Sequence, residues 1–312
     1  MQGERILFVM ALPDGGVAHV ATWLLRRGRR SLVEVTAAVV PAEGAPRLGS
    51  CHFPGWALRS WQPDDGIVAL GFGPNEIITE PGKALADLHL SARQLGFRVR
   101  FIGDTDPAVS ALPLCGGPTP YQSVLGVAAG LCGVAGVQSM VEGRAAWETH
   151  SLDTDLPDSP DNLSDMALAT SEASAESGPP ASFARAWVFD DEIAWAAPTP
   201  DPARGGPLDF TGPLRKELFK VDIPRSVSGR VPGRLQLSIG QRTWAVDAEP
   251  LLDLPLVGVL PFSWALERWW VARRERPWRW RLGALKRPDG RRVGVYEEWV
   301  SGEGRPPRPE GA

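Results

Sequence analysis

Apolar runs broken by Pro/Gly turns set the rhythm of the first half of the chain. Arg5 to Leu12 (RILFVMAL) is nearly continuous in apolar residues, the pattern of a central parallel strand. Pro13-Asp14-Gly15-Gly16 reads as a turn. Val17 to Arg27 then places Val17, Val20, Ala21, Leu24 and Leu25 on one face of a helix. Leu32 to Val40 predicts a second strand, Gly66 to Gly71 a third and Phe97 to Ile102 a fourth, with a helix over Pro81 to Leu95. Pro41 to Asp65, rich in Pro, Gly and Trp, reads as a long loop. Strands alternating with helices predict an α/β fold, a Rossmann-like parallel sheet with helices on both faces. The G-x-G-x-x-G dinucleotide fingerprint is absent from this opening.

Such a sheet binds ligands beyond the carboxyl ends of its strands. Leu114 to Glu142 carries the strongest signal there. Gly116 and Gly117 permit a close approach, Thr119 suits an N-cap, Pro120 the first helical position, and Gln122 completes a capping box. Val124, Leu125, Ala128, Leu131 and Cys132 follow at helical spacing, and Gly133 is placed to end the helix. The N–H groups of that helix start would favour a phosphate or carboxylate. The expected ligand-binding set is Asp14, Gly15, Gly16, Gly73, Cys115, Gly116, Gly117 and Thr119. The alternative is a Gly-rich packing turn without a ligand.

Asp104 and Asp106 stand two apart after a strand, where both carboxylates point the same way and can share a hard cation such as Mg²⁺ or Mn²⁺, with Glu80 as a third. The alternative is a pair of turn formers. His19, near the first turn, reads as a surface or packing histidine.

Composition changes the picture from Ser151 to Ser182, which holds seven acidic residues and no basic ones. This predicts a disordered acidic linker. The expected organisation is an α/β domain over 1–150, the linker over 151–183, a smaller β-rich domain with one helix over 184–302, and a flexible tail over 303–312. In the last part, Ala186 to Trp195, Arg234 to Ile239 and Thr243 to Val246 read as strands. Phe262 to Arg274 reads as an amphipathic helix, and Trp278 to Lys286 and Arg292 to Trp299 as a hairpin around Pro288-Asp289-Gly290. Phe262 to Arg292 holds ten Lys/Arg against three acids, interleaved with tryptophans. Arg273, Arg274, Arg276 and Arg279 are candidates for weak nucleic-acid contact, the alternative being a solvated face.

A net charge of −4 excludes a wholesale electrostatic nucleic-acid binder. Three cysteines without metal spacing, no signal-peptide pattern and no run long enough to span a bilayer predict a cytoplasmic protein without a membrane segment. A homodimer is an expected arrangement.

The diglycine turn Gly116-Gly117, its helix and the following strand resemble the corresponding piece of CARF domains, the Rossmann-like sensors of cyclic oligoadenylates in CRISPR defence. In the family's Thr-Gly-Gly-Thr-Lys signature, Cys115 stands for the first Thr, Pro118 for the second and Thr119 for the Lys. The resemblance implies a sensor or regulator that binds a phosphate-bearing nucleotide. Asp104-Thr105-Asp106 after a strand resembles the metal motif of some glycosyltransferases, implying a metal-dependent nucleotide-sugar transferase. A non-enzymatic structural or assembly protein is the third reading.

Overall fold

The structure is a computed structural model of the chain. It describes residues 2–27, 30–80, 83–104, 108–114, 117–151, 182–190, 193–199, 206–211, 218–223, 234–239, 242–255 and 279–300. The first part contains β1 (Gln2–Ala11), β2 (Val17–Arg27), β3 (Arg30–Val40), β4 (Arg47–Pro54), a 3₁₀ turn η1 (Gly55–Ala57) and β5 (Leu58–Trp61). It continues with β6 (Val68–Phe72), β7 (Asn75–Glu80), β8 (Leu85–Ala92), β9 (Leu95–Gly103), β10 (Ala108–Leu114), β11 (Gly117–Val134) and β12 (Val137–Ser151). The second part contains β13 (Ser182–Asp190), β14 (Ile193–Thr199), β15 (Gly206–Thr211), β16 (Leu218–Ile223), β17 (Arg234–Ile239), β18 (Arg242–Pro255), β19 (Arg279–Lys286) and β20 (Arg292–Val300).

Every strand pairing among the described residues is antiparallel, and no α-helix occurs among them. This overturns the expected α/β, Rossmann-like parallel sheet. The first sheet runs β4-β3-β2-β1-β12-β11-β9-β8-β7-β6-β5, with β10 on β11 beside that path. It curls into a nearly closed barrel. The Cys51 thiol on β4 donates to the Ser91 carbonyl on β8 and accepts from the Asn75 side-chain amide on β7 at 3.9 Å, bringing the β4 edge against strands from the other half of the strand order. The second sheet runs β14-β13-β20-β19-β18-β17-β16-β15.

The barrel interior is apolar. Ile6, Phe8, Met10, Val20, Val35, Phe72, Leu88, Phe101 and Trp147 meet there, with the Phe101 and Trp147 rings stacked 6.4 Å apart. Beyond β3 and β12 the pattern is the ordinary one: β9 alternates buried Leu95, Phe97, Val99 and Phe101 with outward Arg98, Arg100 and Ile102.

Three expected helices are strands, for identifiable reasons. Val17 to Trp23 is buried at every position because β2 is covered on both faces, so apolar residues fill all positions and a helical stripe appears by coincidence. Pro81 to Leu95 contains β8, whose Ala86, Leu88, Leu90 and Ala92 alternate inward. The expected helix from Thr119 is β11. Its glycines serve a sheet: a Cβ on Gly126 would stand 2.0 Å from the Ile102 carbonyl oxygen of β9. Pro118 and Pro120 fall in the stretch that pairs only with β10, where a missing N–H costs least. The CARF resemblance falls with the helix, and with it the support for nucleotide binding. The expected strands over Arg5–Leu12, Leu32–Val40 and Arg234–Ile239 are present, as is the hairpin at Pro288-Asp289-Gly290, closed by Arg287 and Arg291. The expected helix over Phe262–Arg274 lies outside the described residues.

Candidate functional site between the two sheets

Strands β11, β12, β1, β2 and β3 have a second face, pointing away from the barrel interior. Register alone arranges its residues in three rows. One row is Leu125, Ala146, Val9, His19 and Ala38; the next is Ser123, Glu148, Leu7, Ala21 and Thr36; the third brings Arg5, Trp23 and Glu34 side by side. An outward face of a barrel is ordinarily wet. Here Arg5, His19, Glu34, Glu148, Ala146, Val9 and Trp23 are all buried.

The cover is the second sheet. Trp187 pairs with Val295 and Val295 with Ala284, while Glu297 lies one step along the same face beside Leu282. All five are fully buried. Arg5 Nη2 meets Glu297 Oε1 at 2.6 Å, joining β1 to β20. His19 Nε2 stands 3.7 Å from the other carboxylate oxygen, an ion pair when the imidazole is protonated. The Arg5 guanidinium sits 4.7 Å from the Trp23 ring centre, adding a cation–π contact. Glu148 Oε1 accepts from the Trp187 indole N–H at 2.9 Å and from the Ser123 hydroxyl at 3.0 Å. The His19 and Trp187 rings meet edge to face at 5.8 Å. Thr36 adds a hydroxyl to the same face, with no hydrogen-bond partner among the described residues.

Charges removed from water cost several kcal/mol apiece, by order of magnitude, unless they are paired and hydrogen-bonded. Arg5 with Glu297, and Glu148 with two donors, meet that condition. Chemically, the seam can hold a negative charge beside an indole and a hydroxyl, and can pass a proton among a carboxylate, an imidazole and a bound molecule.

At the rim, Glu249 on β18 pairs with Lys286 and lies 3.7 Å from Arg292, whose guanidinium donates to the Pro41 carbonyl in the β3–β4 connection. The Lys286 hydrogen bond holds the Glu249 carboxyl below its ordinary range.

The residues expected from sequence sit elsewhere. Asp14, Gly15 and Gly16 form the β1–β2 turn, where Asp14 Oδ1 accepts from the Gly16 N–H. Burial, with a smaller push from the Asp14 carboxylate, raises the nearby Cys132 thiol to about 11. Gly73 turns between β6 and β7 with φ +58° against the Phe53 ring, which excludes a Cβ there. Gly117 and Thr119 pair with Leu114 and Leu112 in β11. Thr119 is about 40 Å along β11 from Cys132, at ~3.3 Å per residue, so Asp14–Gly16 and the diglycine region lie toward opposite ends of the strand. Cys115, Gly116 and Asp106 are outside the described residues. Asp104 follows β9, its carboxylate engaged by Arg144. Among the described residues no group of three or more His, Cys, Asp or Glu is disposed to hold a metal ion. Arg279 begins β19; Arg273, Arg274 and Arg276 lie outside the described residues. No helix of the described residues is long and apolar enough to cross a membrane.

Sequence reasoning passed over Arg5, Glu34, Glu148, Trp187 and Glu297, and read His19 as a surface or packing residue. One signal was available: Arg5 heads an apolar run, His19 interrupts VAHVAT, and Glu34 interrupts LVEVTAAVV. A lone ionisable residue inside such a run marks a buried charge when both faces are covered.

A nearly closed antiparallel barrel, its outer face capped by a second antiparallel sheet, is a fold that the chain shares with solved structures. Among solved structures it is similar to a protein assigned as AttH from Nitrosomonas europaea, with a TM-score of 0.53, 10% identity, and 96% of this chain and 92% of that one covered. It is also similar to CghA, with a TM-score of 0.50, 10% identity, and 98% and 89% covered. At these identities the likeness is one of fold. No protein-family description matches the chain, and no curated protein matches it in sequence.

Proposed function

We propose that the seam between the sheets binds a small, largely apolar organic molecule and performs acid–base chemistry on it. Arg5, His19 and Glu297 form one proton-handling group, and Glu148 with Ser123 and Trp187 forms the other. The observation that carries this reading is the segregation of charge. Arg5, His19, Glu34, Glu148 and Glu297 are each at most 2% exposed and share one seam. The barrel interior a few ångströms away is filled by Phe8, Phe72, Phe101 and Trp147. Buried ionisable groups concentrate where a reaction needs shifted acidities, and a mostly apolar wall with a few convergent polar groups is the usual lining of a small-molecule site. The reaction class is proton transfer to or from a carbon–carbon double bond or the position beside a carbonyl. These groups are covered, so binding requires local opening of the seam.

Phosphate capture at Thr119 has lost its physical basis, since a helix start is replaced by paired strand. A transferase using Asp104 would first have to release that carboxylate from Arg144.

The test combines native mass spectrometry of the purified chain, to detect a co-purifying small molecule, with thermal shift against apolar carbonyl and isoprenoid compounds. A ligand at 100 times its Kd stabilises the native state by about 2.7 kcal/mol. Glu148→Gln should keep the fold and abolish turnover of any compound found. If no compound binds, or if Glu148→Gln and Glu297→Gln both turn over substrate at the wild-type rate, the seam is a structural lock.

A further inference from the structure

One hydroxyl of the seam is left over. Thr36 stands on the outer face of β3 between Glu34 and Ala38 and is 7% exposed. Its hydroxyl oxygen is sealed from solvent and has no hydrogen-bond partner among the described residues. The Ser123 hydroxyl of the same row, by contrast, is engaged by Glu148. A buried hydroxyl without a partner is costly and uncommon in a native protein. Register sets Ala21 beside Thr36 on one side and Ser50 on the other. Ala21 lies between His19 and Trp23 on the same face of β2, so two large rings flank a low spot that Thr36 borders. His19 is one strand and one row away, about 8 Å between Cα atoms from strand spacing and rise. One small molecule can touch both.

The cover ends next to Thr36. On β3 the outer face is buried at Glu34, Thr36 and Ala38. On β4, the edge of the sheet, the facing positions are half-buried Ser50 and exposed Leu48 and His52. The seam therefore meets solvent one strand beyond Thr36, on the side from which a ligand can enter.

We propose that Thr36 is the specificity-determining residue of the seam, and that the ligand is a carbonyl compound whose oxygen accepts from the Thr36 hydroxyl. This rests on the reading of the seam as a small-molecule site. That reading spans two substrate classes, a carbon–carbon double bond and the position beside a carbonyl. Only the second supplies an acceptor. A molecule without one leaves the hydroxyl unpaired, and a site built to hydrogen-bond an oxygen rejects the analogue that lacks it.

Calorimetric titration of the full chain tests the proposal. The probes are methyl nonyl ketone and decalone, each set against the counterpart in which =CH2 replaces =O. The wild type should favour the ketone about tenfold, the worth of one neutral hydrogen bond. Thr36→Val keeps the shape without the hydroxyl and should abolish the preference; Thr36→Ser should retain it. Without ligand, Thr36→Val should melt no lower than the wild type, since no group in the chain loses a partner. A lower melting temperature would show that the hydroxyl holds a bond within the chain and would overturn the assignment. Equal affinity of the wild type for ketone and counterpart, or an undiminished preference in Thr36→Val, would overturn it and leave the seam a binding site. If neither ketone nor counterpart binds, the reading of the seam itself fails, and this inference with it.

Discussion

The two faces of β1, β2 and β3 are buried to the same degree and built from different chemistry. The inner face presents Ile6, Phe8, Met10, Ala18, Val20, Val33, Val35 and Ala37 to a core of other apolar side chains. The outer face presents Arg5, His19, Trp23, Glu34 and Thr36 to a second sheet that answers with Glu297 and Trp187. The inner face gains its stability from apolar area and close packing, which tolerate conservative swaps. The outer face holds charges that are satisfied only while the second sheet is in place. One face closes the barrel; the other ties the barrel to its cover and concentrates the chemistry.

Removing one charge of the seam should have the largest effect. Arg5→Ala leaves Glu297 without its guanidinium and should cost about 3–5 kcal/mol in urea unfolding. Arg5→Met with Glu297→Leu should recover most of that loss, because an apolar pair avoids desolvation altogether. Recovered stability without recovered ligand binding would separate the structural from the chemical role of the pair. If the double variant is as unstable as Arg5→Ala, the seam depends on charge in a way the comparison does not capture.

The interior should respond as an ordinary core. Leu88→Ala, opposite Val99 in the barrel, should cost about 2–5 kcal/mol through lost burial and the cavity left behind. Its effect on seam ligands should be confined to that stability loss. A selective loss of ligand binding in Leu88→Ala, measured well below its melting temperature, would place the site inside the barrel.

The smallest effect belongs to the rim. Glu249 has a depressed folded pKa, so its contribution is fully present above its ordinary value of 4.5 and is lost as pH falls through the lower folded value. Glu249 is more than one-third exposed, and solvent screening holds the pair to at most about 1 kcal/mol. Lys286→Met should therefore lower stability slightly at neutral pH, and the difference from wild type should shrink as pH falls below 4.5 and vanish once it has passed the lower folded value. A difference that grows in acid would reverse the sign of the argument.

The sequence by itself determined where the chain turns and where several strands lie. The apolar run after Arg5, the run from Leu32 to Val40 and the Pro288-Asp289-Gly290 hairpin were legible because local patterning and turn chemistry act within a few residues. Strand against helix was not legible for Val17–Arg27 or Gly117–Val134, because burial on both faces erases the period that separates them. The site was illegible for a related reason. Arg5, His19, Glu148 and Glu297 are far apart in the chain, and each reads alone as an exception in its own strand. Only antiparallel register sets Arg5 beside Trp23 and Leu7 beside Glu148, and only the second sheet brings Glu297 to Arg5. The pairing that makes a buried charge tolerable is a long-range contact between two sheets, and the tertiary structure alone decides it.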